Sequence, residues 1–253
     1  MKKKLIIIAL IIIPMCIVAL DYFVFAEHDE PVVVDSSYDT SDNWQYIQTH
    51  KDEYPTSLLE LALRNKETIP FVAHYLDKKD KKTSMNISKE LKSQTIPLFL
   101  QWDERWGYKD YGDDIMAING CGPTCLSMVV SYLTKNPAYH PYKIAQFALE
   151  NGYVVNSQTS WDLMREGVKS FGINVQELSL SEDLIIKNLE QGNPIICSMS
   201  KGIFTTTGHF IVLKEYKDGL IYVNDPNSQS LSQRGYTFKE IQYQIKNLWV
   251  YSL

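Results

Sequence analysis

The chain has little cysteine, no strong excess of either charge and no repetitive sequence, and each shortage narrows what it does. Only Cys16, Cys121, Cys125 and Cys197 stand among 253 residues, too few for a disulfide framework. No CxxC or HxxxH pair accompanies them, and although Cys121 and Cys125 share a helix face at i, i+4, nothing completes a metal site. The formal net charge is −5, with neither a basic stripe nor a Gly-rich phosphate loop, which argues against nucleic acid. The run Lys78, Lys79, Lys81, Lys82 is interrupted by Asp77 and Asp80 and reads as a solvated linker. Internal repeats and low-complexity tracts are absent, which excludes solenoids and disordered arrays. A 45% hydrophobic content suffices for one full core plus a smaller appendage.

The N-terminus sets the expected compartment. Lys2, Lys3 and Lys4 precede an apolar run of 16 residues from Leu5 to Leu20, followed by Asp21 and Tyr22-Phe23-Val24-Phe25-Ala26. Residues 1–26 read as an export segment, either a membrane anchor extended by its aromatics or a signal peptide cleaved near Ala26. The body is therefore expected outside the cytoplasm, membrane-anchored or secreted. There Cys121, Cys125 and Cys197 are an odd number and cannot all pair internally, so a free thiol is expected.

That thiol is best sought at Gly120-Cys121-Gly122-Pro123-Thr124, the start of the most apolar helix pattern, in which nearly every residue from Cys125 to Leu133 is apolar. Such a helix is buried on most sides. Pro123 suits its first turn, and the free N–H groups and positive dipole end there favour a thiolate. Cys121 is the expected nucleophile, whereas Cys125 and Cys197 fit plain core positions.

Among five histidines, His209 is the candidate base. Gly208-His209-Phe210-Ile211-Val212-Leu213 reads as a buried strand, Lys217-Asp218-Gly219 as a turn, and Leu220-Ile221-Tyr222-Val223 as the returning strand, ending at Asn224-Asp225-Pro226. Strand parity decides which of Asn224 and Asp225 faces the imidazole. A three-residue loop pairs positions summing to 436 and presents Asp225, whereas a two-residue loop sums to 437 and presents Asn224. The longer loop, with Gly219 in a type I turn plus bulge, is expected, making Asp225 the orienter of His209. His28, His50, His74 and His140 read as surface or export-segment residues, and Trp161 as either a cleft border or a core residue.

Upstream, residues 27–95 read as a helical extension and charged linker. One helix is expected near Ser41 to His50 and another from Pro55 through Leu76, opened by the capping-box pattern Ser57-Leu58-Leu59-Glu60. The segment reads as a prodomain, a support, or a packed part of the same domain. After Pro97 come the Cys121 helix, helices near Tyr142 to Asn151, Trp161 to Phe171 and Ser181 to Gln191, and strands from Ile195 onward, an α+β order.

Taken together, Gln101-Trp102-Asp103-Glu104-Arg105-Trp106, Gly120-Cys121-Gly122-Pro123-Thr124, Gly208-His209-Phe210-Ile211-Val212 and Asn224-Asp225-Pro226 resemble the stand-alone bacterial C39-like peptidases, a branch of the papain-like cysteine proteases. The resemblance covers about residues 96–253. It implies a papain-like domain with a central nucleophile helix on an antiparallel sheet, Cys121, His209 and Asp225 as a triad, and Gln101 as oxyanion-hole side chain. Residues 107–119 separate Gln101 from Cys121 more widely than in many papain-like enzymes, and on residues alone Gln101 reads equally as a surface amide.

The expected chemistry is hydrolysis of a peptide or amide bond through a thioester, requiring no metal or organic cofactor. The expected partners are a peptide or protein substrate and, through an uncleaved N-terminal segment, the membrane. The same triad serves acyl transfer, as in a transglutaminase-like or amidase reaction, and an inactive peptide-binding module is the remaining alternative.

Overall fold

Ser41 opens the first helix of the computed structural model, which describes residues 39–253, by accepting a hydrogen bond from the Trp44 N–H. Four short helices follow one another: α1 (Asp42–Thr49), α2 (Thr56–Arg64), α3 (Ile69–Ala73) and α4 (Tyr75–Lys78). The single helix expected from Pro55 to Leu76 is thus broken. Asn65 is extended (φ −139°, ψ 100°), its side chain accepts from the Glu67 N–H at 3.0 Å, and a short 3-10 turn, Lys66–Thr68, bridges to α3. Asn offers the backbone a partner outside the helix, which favours a stop, and Pro70 suits the opening turn of α3. The expected capping box does not form, because α2 starts at Thr56 after Pro55 without a side-chain cap.

These helices share a core with the rest of the chain. Trp44, Leu58 and Phe71 bury against Tyr108 and Ala117; Phe71 and Tyr108 stack at 4.2 Å, and the Tyr108 hydroxyl donates to the Phe71 carbonyl at 2.7 Å. Residues 39–253 fall within one compact unit.

The body begins with the small hairpin β1 (Asp110–Tyr111) and β2 (Asp114–Ile115), then α5 (Met116–Asn119), α6 (Cys121–Thr134) and α7 (Pro141–Glu150). A second small hairpin, β3 (Val154–Val155) and β4 (Gln158–Thr159), leads to α8 (Trp161–Arg165), β5 (Asn174–Glu177) and α9 (Glu182–Glu190). Then come β6 (Ile195–Met199), β7 (His209–Lys217), β8 (Leu220–Asn224), β9 (Gly235–Tyr236), α10 (Phe238–Ile241) and β10 (Ile245–Ser252). The expected helix from Trp161 to Phe171 passes into 3-10 geometry at Gly167, where a glycine weakens the α-helix. Strands β1 to β5 escaped the sequence reading, so helices and strands interleave more than expected.

The architecture is α+β. One antiparallel sheet has the order β5-β10-β6-β7-β8-β9. Alternation along β7 divides its side chains between two cores: Phe210 and Val212 join the core of α6, while Ile211 and Leu213 join that of α9 and α10. Helix α6 is buried continuously from Gly122 to Ser131, as its apolar sequence requires. Among the described residues no helix is long and apolar enough to cross a membrane; the export segment and His28 lie outside them.

Candidate active site

Cys121 is the first residue of α6, preceded by Gly120 as N-cap. Helix α6 lies close to β4 at this end: a Cβ on Gly122 would come within 2.6 Å of Thr159 Cγ2, so only glycine fits beside the thiol. Cys121, Cys125 and Cys197 are all free, but only Cys121 is partly exposed. Burial pushes the Cys125 and Cys197 thiols well up, as befits core residues.

The hairpin brings His209 and Asp225 together by a route different from the expected one. Its loop is two residues, Asp218 and Gly219, both with positive φ (52° and 79°), as a type I′ turn requires. Lys217 pairs with Leu220 and Glu215 with Tyr222, so near the turn the paired numbers follow the register that would present Asn224. A bulge at Lys214 then inserts one extra residue, and Leu213 pairs with Val223 and Val212 with Asn224. The expected three-residue loop is wrong, and the bulge restores the parity that turns Asp225 toward His209.

His209 Nε2 lies 2.7 Å from Asp225 Oδ1, the two side chains being 8% and 1% exposed. Cys121 lines the same cleft as His209, and with Nε2 taken by Asp225 the ring nitrogen open to the thiol is Nδ1. Burial disfavours the imidazolium, but the Asp225 carboxylate, its hydrogen bond and the neighbouring Cys121 outweigh it and push His209 up to about 10. Asp225 Oδ1 also accepts from the Asn227 N–H at 2.8 Å, and its backbone N–H donates to Ser232 Oγ at 2.8 Å. Asn224 faces away, donating through Nδ2 to the carbonyls of Ile96 and Pro97.

Gln101 is buried, not on the surface, and lines the same cleft of about 520 Å³ as Cys121, His209 and Asp225. Its backbone N–H donates to the Pro226 carbonyl at 2.7 Å. Its Nε2 faces the carbonyls of Ala117 (2.7 Å) and Ile118 (3.3 Å), and Oε1 has no hydrogen-bond partner. A flipped amide would set oxygen against two carbonyl oxygens, so this orientation is fixed by its surroundings. All four expected site residues therefore converge.

Among the described residues, the remaining histidines and Trp161 do not join them. His140 caps α7 by accepting from the Lys143 N–H, His74 bonds Glu104, and His50 Nδ1 lies against the Tyr46 carbonyl. Trp161 is 41% exposed, edge-on to Trp249, and outside the cleft lining.

The sequence reading missed two walls of the cleft. One is the 202–208 loop between β6 and β7, which carries Thr205, Thr206 and Thr207. The other is the break after α2, which brings Arg64, Asn65 and Glu67 to the cleft. A polar Arg-Asn-Lys-Glu stretch inside an expected helix was the available signal.

A search of curated proteins finds no match to the chain. Among solved structures, it is similar to the peptidase domain of Streptococcus ComA, a bi-functional ABC transporter involved in a quorum sensing pathway, at 18% identity over 53% of this chain and 91% of that one, with a TM-score of 0.42. It is also similar to a putative C39-like peptidase from Bacillus anthracis, at 14% identity over 69% of this chain and 98% of that one, with a TM-score of 0.45. Residues 93–251 match the model of the Peptidase_C39 like family, and the chain belongs to that family.

Proposed function

We propose that this member of a cysteine peptidase family hydrolyses a peptide or amide bond outside the cytoplasm, with Cys121, His209 and Asp225 as its triad. The observation that carries the reading is the His209 Nε2 to Asp225 Oδ1 contact of 2.7 Å, in the cleft that Cys121 also lines.

In this mechanism His209 holds the thiol proton while the Cys121 sulfur adds to the carbonyl carbon. The carbonyl oxygen becomes an oxyanion, received by a first-turn N–H of α6 and by Gln101. To donate, the Gln101 amide redirects one N–H, and the longer contact to Ile118 at 3.3 Å is the one that yields. The C–N bond breaks as His209 passes its proton to the leaving amine, leaving a thioester. Water then attacks the thioester, His209 takes its proton, and the acid departs as the thiol is restored. Asp225 holds the ring throughout.

The N-terminal lysines and the apolar run Leu5 to Leu20 support export of the body, whether anchored or released near Ala26. A peptide library incubated with the full chain and with Cys121→Ala tests the reading, with products analysed with and without an added amine. Cleavage by the wild type alone supports it; equal products from both proteins, or amine-linked products only, would overturn peptide hydrolysis.

A further inference from the structure

We propose that Glu67, delivered by the N-terminal helices, is a positioning residue that holds the loop after β8 so that Asp225 stays on His209. The inference rests on the triad reading above and adds a residue to it.

Four donors converge on the Glu67 carboxylate: the Ser228 hydroxyl, the Ser230 hydroxyl and N–H, and the Gln229 N–H. An acceptor-only group suits that set, because every partner offers a hydrogen. Burial opposes ionisation of Glu67, but the bonds from Ser230, Ser228 and Gln229 outweigh it and hold the carboxyl below its usual range. The grip falls just after the residue that matters. Asn227 N–H donates to Asp225 Oδ1 at 2.8 Å, so the position of that loop is felt at the oxygen that meets His209.

Asn65, from the same helix break, donates to the Asn227 carbonyl at 2.6 Å, and Trp102 Nε1 donates to it at 3.0 Å. The break that interrupts the expected long helix is therefore where the extension grips the site. Glu67 lines the same cleft as Cys121 and His209, which a remote structural tie would not need to do. On this reading the extension is part of the assembled site, and not a prodomain to be shed on activation.

The test uses the full chain and follows iodoacetamide modification of Cys121 by mass spectrometry across pH, together with thermal midpoints. The charged and titratable groups on the cleft wall are Asp225, Glu67, Arg64, His209 and Cys121, with Cys125 buried nearby on α6. Glu67→Gln keeps the shape but sets an NH₂ against the Gln229 N–H. It is expected to slow modification at neutral pH by ~3- to 30-fold, the scale of a small misplacement in a catalytic array, and to lower the alkaline inflection at which His209 loses its proton. Glu67→Ala does more, while Glu60→Ala, exposed on α2, changes neither. Ser230→Ala, on the receiving side, moves the inflection in the same direction without adding fully to Glu67→Ala. An unchanged rate and inflection in both Glu67→Gln and Ser230→Ala would overturn the role of Glu67. A profile unaffected by His209→Ala would instead overturn the triad, and the two failures are thereby told apart.

Discussion

Lys214, the extra residue of the β7 bulge, donates through Nζ to Asn224 Oδ1 at 2.8 Å. The residue that resets the strand register thus ties down the side chain that the reset turns away from His209. Burial lowers the lysine from its usual range, with Glu215 opposing. Asn224 in turn clamps the carbonyls of Ile96 and Pro97 at the entry to the body.

Deleting Lys214 would leave Glu215 on Tyr222 and carry the ladder straight on to Leu213 and Val223, so Asp225 is expected to keep its place on the His209 face. Cys121 modification should then resemble that of the wild type, with circular dichroism showing a folded chain; a profile like that of Asp225→Ala would contradict this register. Asn224→Ala, which also keeps the parity, should act on stability. Leaving buried carbonyls and Lys214 unpartnered costs about 1–3 kcal/mol, read as a lower thermal midpoint with little change in the Cys121 profile.

Asp225→Asn isolates the charge of the orienter. Asp225 Oδ2 is buried without a hydrogen-bond partner, so an amide nitrogen there loses no donor, and Oδ1 keeps those from His209 and Asn227. Hydrolysis should fall by ~10- to 10⁴-fold, the variation reflecting how well other contacts hold the ring. His209 is raised from 6.5 to about 10 in the wild type. Its contribution to stability is therefore complete below pH 6.5 and is lost as pH rises through about 10. The stability gap between wild type and Asp225→Asn should be widest below that window and close above it, as melts at its two ends would measure.

Much of this site was legible from sequence because its chemistry sits on regular elements. Cys121 opens an apolar helix and His209 opens a buried strand, so local pattern alone identified both. The turn was misread: Asp218 and Gly219 form the two-residue loop on their own, and a bulge at Lys214 leaves no mark in hydrophobic alternation. Asp225 was still assigned to the His209 face, because two register errors of one residue cancel. The contacts of Glu67 and Asn65 are over 160 residues away in sequence, and nothing local announces them. The small strands β1 to β4 pair through only two residues each, too short for a period of two to register.

The three cysteines of the body should separate cleanly under iodoacetamide. Cys121 alone is partly exposed, whereas Cys125 and Cys197 are fully buried with thiols pushed up. Peptide mapping should find Cys121 modified first and the other two only on unfolding. Early modification of Cys125 would contradict the assignment of the nucleophile.

Trp44→Ala tests whether the extension melts with the body. Trp44 is fully buried, in the core that also holds Tyr108 and Ala117. Truncation should cost about 3–5 kcal/mol, or roughly 6–20 °C in Tm for a domain of this size. A single transition is expected, with loss of activity tracking it. A separate early transition that leaves Cys121 modification intact would mean that the extension is dispensable to the site.

Gln101→Ala distinguishes an oxyanion donor from a structural amide. Peptide hydrolysis passes through a tetrahedral oxyanion, and losing one donor to it costs ~10²- to 10³-fold in rate. Alkylation of the same thiol by iodoacetamide displaces iodide at a saturated carbon and develops no oxyanion. If Gln101 serves the oxyanion, the variant should lose hydrolysis and keep its alkylation rate. If Gln101 only ties α5 to the body through Ala117 and Ile118, the two rates should fall together with the thermal midpoint. Gln101→Glu sharpens the contrast. A carboxylate accepts but does not donate, so it repels both the carbonyls it faces and the developing oxyanion, and hydrolysis should fall at least as far as in Gln101→Ala.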